Sequence, residues 1–401
     1  MISRWLFSRE EMSEDFEWTK FLRGRIEILQ PKKGARFSID SVILSGFSFV
    51  RDGESVLDLG CGTGIILAII NEFYHPTTLY GVELQEKLAH CSYETMKRLK
   101  EGDWEIINCD LKEYQSEKKF DLVVFNPPFF DLKSGLISPD EERRLSRQGE
   151  NTTLKDFLKC AFRNLKEEGR ICFIFPKEKE KEAMKSLKEN NFHPAILRNV
   201  RDSIDSDFQR ILILVRKKES FFVELPPLTL RDENKDYSEE MKRLLGEIPF
   251  RDEPSFFCDA MALRLAKYLR FSGFDTAYLK GADDDWLLKE CEKSGRTLLS
   301  LDRELIKRFK KRGVKVFELD SFSPREQFKK VLSHFKLKER EKKRCLNCNA
   351  EVFKIEKDRV QKYVPEYTFM TQKDFYICPS CSKITWGGSH LSRFRNEILK
   401  G

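Results

Sequence analysis

The stretch SVLDLGCGTG at residues 55–64 decides the fold. It opens as a strand, with Val56, Leu57 and Leu59 apolar, then turns at Gly60, Gly62 and Gly64 into IILAIINEF, which reads as a helix over 64–73. Glycines at such a junction permit a tight turn and let a ligand approach the backbone at a helix N-terminus. Outward from this stretch, strands and helices alternate. They are TTLYGVEL (77–84), a helix over 85–99, WEIINCD (104–110), FDLVVFN (120–126), a helix over 153–166, GRICFIFP (169–176), a helix over 177–190, and the extended HPAILRNV (193–200) and RILILVRKK (210–218). This order predicts an α/β domain built on a mainly parallel sheet.

A chain of 401 residues holds two to three such domains. The segment ELPPLTLRDENKDYSEEMKRLLGEIPFRDEPS (224–255), with prolines bracketing one short helix, marks a seam, and the first domain is set at 1–249. A second α/β pattern follows at 250–340: FFCD, a helix over 260–272, DTAYL, a helix over 285–294, RTLLSLD, a helix over 303–311, VKVFELD and a helix over 324–335. Beyond the charged linker KLKEREKKR, a tail over 341–401 carries paired cysteines. The net charge of +7 is uneven: residues 250–401 hold 33 Lys+Arg against 22 Asp+Glu, while the first 249 hold 40 against 44. A basic second half suits a phosphate-bearing partner such as RNA. No run of about 18 apolar residues and no signal-peptide pattern is present, so the chain reads as cytoplasmic, with no membrane contact and no obligate protein partner. Seven of the eleven cysteines are single, which excludes a disulfide framework.

Two acids extend the glycine loop into a site. Glu83 follows the second strand about 20 residues on, where a carboxylate accepts both hydroxyls of a ribose. Asp110 ends a third strand, where it can accept from an adenine amino group. Together they describe a nucleoside-bearing cofactor at the carboxyl ends of parallel strands; each acid alone is an ordinary turn former.

The ordered set DLGCGTG, GVEL, NCD and NPPF resembles the class I S-adenosylmethionine-dependent methyltransferases, which are Rossmann-like, and NPPF resembles their branch acting on planar amino groups. The resemblance implies that Asp58, Gly60, Gly62, Gly64, Glu83, Asp110 and Asn126 bind S-adenosylmethionine. The lone pair of an exocyclic amine is delocalised into its ring. The Asn126 side-chain oxygen and the Pro127 carbonyl would each accept one N–H, letting the amine pyramidalise, while Phe129 stacks on the base. GARFSIDSVILSGF (34–47) and PPLTLRDENKDYSEE (226–240) narrow the resemblance to the bacterial tRNA(Val) adenine N6-methyltransferase family, which implies that Phe37 and Asp40 line the cofactor pocket and that the substrate is an adenine in tRNA. That family tends to show an Ala-Arg-His-Glu-like stretch where this chain has LSRQGE (145–150). Glutamine methyltransferases of release factors also use an Asn-Pro-Pro-aromatic motif, since an amide nitrogen poses the same chemical problem. They usually carry an N-terminal helical domain, for which only about 30 residues precede GARFSID.

In the second domain Asp259, the cluster Asp283-Asp284-Asp285 and Asp302 each follow a strand and precede a helix. Every one is a good N-cap. Three strand ends of one sheet would also gather carboxylates at one edge, where Mg²⁺ or Mn²⁺ would relieve their repulsion and activate water against a phosphodiester. In the tail, CLNC (345–348) and CPSC (378–381) supply Cys345, Cys348, Cys378 and Cys381 in the spacing of a closed, structural zinc ribbon. Aromatics interleaved with Lys362, Lys383, Arg393 and Arg395 serve equally to bind RNA or to pack the ribbon. The order FFCDAMALRLAKYLRFSGFDT, DDDWLLKECEKSGRTLLSLDRELIKR, RCLNC, VPEY, CPSCSKITWGGSH resembles the PIN-like RNase domain with a zinc-ribbon tail named after the C-terminal region of a mutator-type exonuclease. It implies that Asp259, Asp284 and Asp302 bind the metal. The family's usual Thr-Arg-Asp is Ser300-Leu301-Asp302 here, so a degenerate, RNA-binding module is the alternative to an active nuclease.

Overall fold

The computed structural model describes residues 15–34, 36–51, 53–74, 76–99, 102–127, 152–279 and 281–386. The chain forms two compact units, Met1–Ile248 and Pro249–Gly401.

Unit 1 opens with a hairpin, β1 (Phe16–Phe21) and β2 (Ile26–Pro31), followed by helix α1 (Ile39–Phe47). The α/β succession is then β3 (Ser55–Leu59), α2 (Ile65–Tyr74), β4 (Thr78–Glu83), α3 (Glu86–Leu99), β5 (Asp103–Asn108), β6 (Phe120–Phe125), α4 (Leu154–Asn164), β7 (Leu165–Pro176), α5 (Glu180–Glu189), β8 (His193–Arg201), β9 (Arg210–Arg216), β10 (Val223–Thr229) and α6 (Glu239–Leu244). One eight-stranded sheet results, in the order β10-β8-β9-β7-β6-β3-β4-β5. Its centre is β6, whose Phe120, Leu122, Val123, Val124 and Phe125 are fully buried, as a continuous apolar run must be when helices cover both faces of a sheet. From β7 to β5 the strands are parallel, whereas β9 runs antiparallel to both β7 and β8.

Two features depart from the sequence reading. The proline pair of the seam lies within β10, an edge strand paired to β8 alone, where a missing N–H costs no ladder bond on the open side and the register shifts between Leu225 and Leu228. The hairpin β1–β2 was not expected. It docks on α3 through a Leu29 N–H bond to Thr95 Oγ1 (3.0 Å), with the Arg98 guanidinium 4.4 Å from the Trp18 ring centre.

Unit 2 is a four-stranded parallel sheet made of β11 (Phe256–Cys258), β12 (Thr276–Ala277), β13 (Thr297–Ser300) and β14 (Val316–Glu318), in the order β12-β11-β13-β14. Its helices are α7 (Leu263–Phe271), α8 (Asp284–Ser294), α9 (Arg303–Lys311) and α10 (Pro324–His334). Alternation along β11 divides the core: Phe256 and Cys258 pack with Leu265, Leu269, Phe328 and Val331 of α7 and α10, while Phe257 packs with Leu287, Cys291, Leu305 and Phe309 of α8 and α9. A three-stranded antiparallel sheet closes the unit, with β15 (Phe353–Ile355), β16 (Phe375–Ile377) and β17 (Ile384–Trp386) around the short helix α11 (Glu366–Thr371).

Candidate functional site

The carboxyl ends of β6, β3, β4 and β5, neighbours in that order, carry Asn126, the glycine loop, Glu83 and Asp110. Gly60, Gly62 and Gly64 all have left-handed φ (+72°, +56° and +80°). The loop is pinned over β4 by N–H bonds from Gly60 (2.8 Å) and Cys61 (3.1 Å) to the Val82 carbonyl. A side chain at Gly64 would meet Ser92 of α3, whereas above Gly62 lies open space. The two glycines thus have different duties, one in helix packing and one on the open side of the loop.

Glu83 is buried and accepts from Gly62 N at Oε2 and from Gln85 N at Oε1, both at 2.9 Å. Burial pushes its carboxyl up from the usual range, and those backbone N–H bonds draw it back. Asp58 is 0 % exposed, and among the described residues neither of its carboxylate oxygens has a hydrogen-bond partner. Burial and, secondarily, the charge of Glu83 raise its pKa well above the ordinary range. An unpartnered buried carboxyl beside an open glycine loop fits a ligand bringing positive charge or N–H donors.

Asp110 accepts from Lys112 N (2.8 Å) at Oδ1. Its loop is held by Arg163 of α4, which donates to the carbonyls of Tyr114 (2.8 Å) and Lys112 (2.6 Å). Sequence reasoning missed Arg163, and no local signal marks it. Asn126 Nδ2 donates to Ser41 Oγ of α1 (3.2 Å), and Asp40, next to Ser41, pairs with Arg210 of β9 (2.5 Å). Phe37 packs edge-on against Phe21 (5.4 Å between centroids). Pro127 is buried; Phe129 and residues 145–150 lie outside the described residues.

In unit 2, Asp259 and Asp302 sit at the ends of the adjacent strands β11 and β13 and meet on one hydroxyl: Ser300 Oγ–H donates to Asp259 Oδ2 and accepts from Asp302 N (2.9 Å). Both acids also cap helical turns, Asp259 Oδ1 accepting from Met261 N (2.9 Å) and Asp302 Oδ1 from Glu304 N (2.9 Å) and Leu305 N (3.1 Å). The α8 cap is Asp283, bonded by Trp286 N (2.8 Å), and Asp284 is the first residue of the helix. Asp259, Asp284 and Asp302 share an edge without forming a single ligand set. Among the described residues, the group of three or more ligating side chains within 4.8 Å of one another is Cys345, Cys348, Cys378 and Cys381. The Cys345–Cys381 and Cys348–Cys378 sulfurs lie 3.6 and 3.3 Å apart. Four thiolates around a tetrahedral ion with about 2.3 Å bonds need about 3.8 Å, so this set fits a closed metal centre. Lys362 and Lys383 lie among the described residues; Arg393 and Arg395 do not.

A mainly parallel sheet with a glycine loop and ordered acids on its carboxyl edge defines unit 1 as a methyltransferase domain of Rossmann-like architecture. Residues 41–194 match the methyltransferase small domain family and residues 254–398 match the Mut7-C RNAse domain family, so the chain joins these two domains. Curated relatives cover the first half. The tRNA1(Val) (adenine(37)-N6)-methyltransferase of Christiangramia forsetii is 27% identical over 231 residues, 56% of this chain and 94% of that protein. The protein of the same name from Bacteroides thetaiotaomicron is 27% identical over 218 residues, 54% of this chain and 91% of its own. Among solved structures, the ribosomal protein L11 methylase of Lactobacillus delbrueckii subsp. bulgaricus is 17% identical at a TM-score of 0.34, covering 47% of this chain and 81% of that one.

Proposed function

We propose that unit 1 transfers a methyl group from S-adenosylmethionine to the N6 amino group of an adenine in RNA, with tRNA as the substrate class its relatives suggest. The observation that carries this reading is the position of Asn126-Pro127 at the carboxyl end of β6, the strand beside β3 and its glycine loop. The bound cofactor supplies an electrophilic methyl group on a sulfonium. Glu83 and Asp110 hold its nucleoside, and Asp58, without a hydrogen-bond partner among the described residues, is suited to a donor-bearing part of the same molecule. The Asn126 oxygen and Pro127 carbonyl each accept one amine N–H, which favours the pyramidal nitrogen that attacks, and Phe129 stacks on the base. The two curated relatives named above act on a tRNA adenine by name, which favours adenine over glutamine as the target.

The test is nucleoside mass spectrometry of an unmodified tRNA pool incubated with the protein and S-adenosylmethionine, beside Asn126→Ala. N6-methyladenosine that vanishes in the variant is the expected result. No methylated nucleoside with cofactor bound would overturn it.

For unit 2 the reading is a ribonuclease with a zinc-filled cysteine site. Asp259 and Asp302, joined through Ser300, are its cleavage residues. Because Asp284 does not join them in a ligand set, no step through Mg²⁺ or Mn²⁺ is derived. The same observation, with Leu301 in place of the family's arginine, favours a second reading as an RNA-binding module. Divalent-metal-dependent cleavage lost on Asp259→Asn supports the nuclease; unchanged RNA affinity without cleavage under any divalent metal supports the module.

A further inference from the structure

The Asn126 carboxamide has two unlike ends, and the methyl transfer works with only one of them facing the target amine. An oxygen accepts the amine's N–H, whereas an NH₂ group opposes it donor to donor. We infer that Ser41 is a positioning residue that anchors the carboxamide against rotation in this orientation, an inference resting on the adenine-methylating reading of unit 1. Its Oγ accepts the Asn126 Nδ2 donor at 3.2 Å, so the nitrogen faces α1 and Oδ1 faces away from it.

The turn that carries the hydroxyl is itself held. Ser41 is 7 % exposed, in the first turn of α1, where its N–H bonds the Ser38 carbonyl (3.2 Å) and its carbonyl accepts from Ser45 Oγ (2.7 Å). Its neighbour Asp40 is paired with Arg210 at the start of β9 (2.5 Å), tying that turn to the sheet. Because β9 is antiparallel to β7, with Arg210 opposite Pro176, Arg210 stands at the same carboxyl edge as Asn126. α1 therefore reaches Asn126 from a fixed base. A freed carboxamide would rotate between its two faces, and the wrong one blocks the amine.

The experiment measures kcat, the KM for tRNA, S-adenosylmethionine affinity and Tm for the full chain and for Ser41→Ala and Asn126→Ala. Ser41→Ala is expected to lower kcat about tenfold, the size of one well-placed hydrogen bond to a neutral group, with cofactor affinity and Tm near wild type. Unchanged kcat, or a loss that follows cofactor affinity, overturns the inference. If Ser41→Ala does not fold, the shape-matched pair Ser41→Thr and Ser41→Val reads the hydroxyl alone, and equal rates in the two overturn it. Asn126→Ala separates the levels: full methylation there sinks the adenine reading, whereas its loss beside an unaffected Ser41→Ala sinks this inference alone.

Discussion

Asp58 combines complete burial with an unpartnered carboxyl, so stability and cofactor binding make opposite demands on it. A folded-state pKa raised above the unfolded value stabilises below the unfolded pKa, and that contribution is lost as pH rises through the folded pKa. Without cofactor, Asp58→Asn is therefore expected to raise Tm, with a gain that grows as pH rises above the usual carboxylate range, while weakening S-adenosylmethionine binding. Thermal melts across pH, paired with titration of the cofactor, check both halves. The glycines make a second contrast. An alanine Cβ at Gly64 would lie 2.6 Å from Ser92 Oγ and 3.2 Å from its Cα, so Gly64→Ala is expected to cost about 2–4 kcal/mol in denaturant unfolding. At Gly62 nothing lies within 4 Å, and only the left-handed φ opposes a side chain, about 1 kcal/mol. Gly62→Ala should fold and reveal itself in cofactor affinity instead.

At the scale of elements, an acid that caps a helix is a poor subject for alanine mutagenesis. Asp302→Ala removes the cap from α9 and is expected to cost about 1 kcal/mol, whereas Asp302→Asn retains an accepting oxygen and the stability. If Asp302 serves cleavage, both variants lose activity and only Ala lowers Tm; melting both beside a cleavage assay separates capping from chemistry. Much of this architecture was legible beforehand. The glycine loop declared itself because few other residues tolerate positive φ in succession, and the buried strands because their apolar runs are continuous. The direction of β9 was not, since RILILVR looks the same whichever way it runs between covered faces. The hairpin β1–β2 carries no clean period-two signal, since β2 (IEILQP) buries Ile28, Leu29 and Gln30 in succession. Sequence also placed Asp259, Asp284 and Asp302 on one edge, but whether three carboxylates converge depends on turn geometry. There Asp283, rather than Asp284, turns back to cap its helix.

Across the whole of unit 2, one buried group links the parallel sheet to the cysteine site. Asp275 accepts from Arg296 Nη2 (2.9 Å) and from Asn349 Nδ2 (2.9 Å), the residue after Cys348, with Arg251 and Arg344 at 3.6 and 3.8 Å. Arg270 of α7 donates to the carbonyls of Leu346 (3.0 Å) and Asn347 (3.2 Å), between the first two cysteines. Burial opposes ionisation of Asp275, but the three arginines and the Asn349 bond outweigh it and hold the carboxyl far below the usual range. A depressed folded pKa gives stability that is present above the unfolded value, near 4, and is lost as pH falls below it. Unit 2 is thus expected to weaken below about pH 4, and Asp275→Asn, removing the carboxylate that Arg296, Arg251 and Arg344 share, to cost about 3–5 kcal/mol at neutral pH. Urea unfolding at pH 7 and pH 3.5 tests both.

This arrangement changes what counts as a place to divide the chain. The charged linker KLKEREKKR invites separation of a sheet domain ending at 340 from a tail beginning at 341. Such a cut would strip Asp275 of Arg344 and Asn349, and Arg270 of the carbonyls it binds. It would also take away the acceptor of the Thr276 N–H, Asn349 Oδ1 at 3.0 Å. Seen as a unit of inheritance, the sheet and the first cysteine pair have to travel together: a gene that lost residues 344–349 would also lose contacts that brace the sheet carrying Asp259 and Asp302.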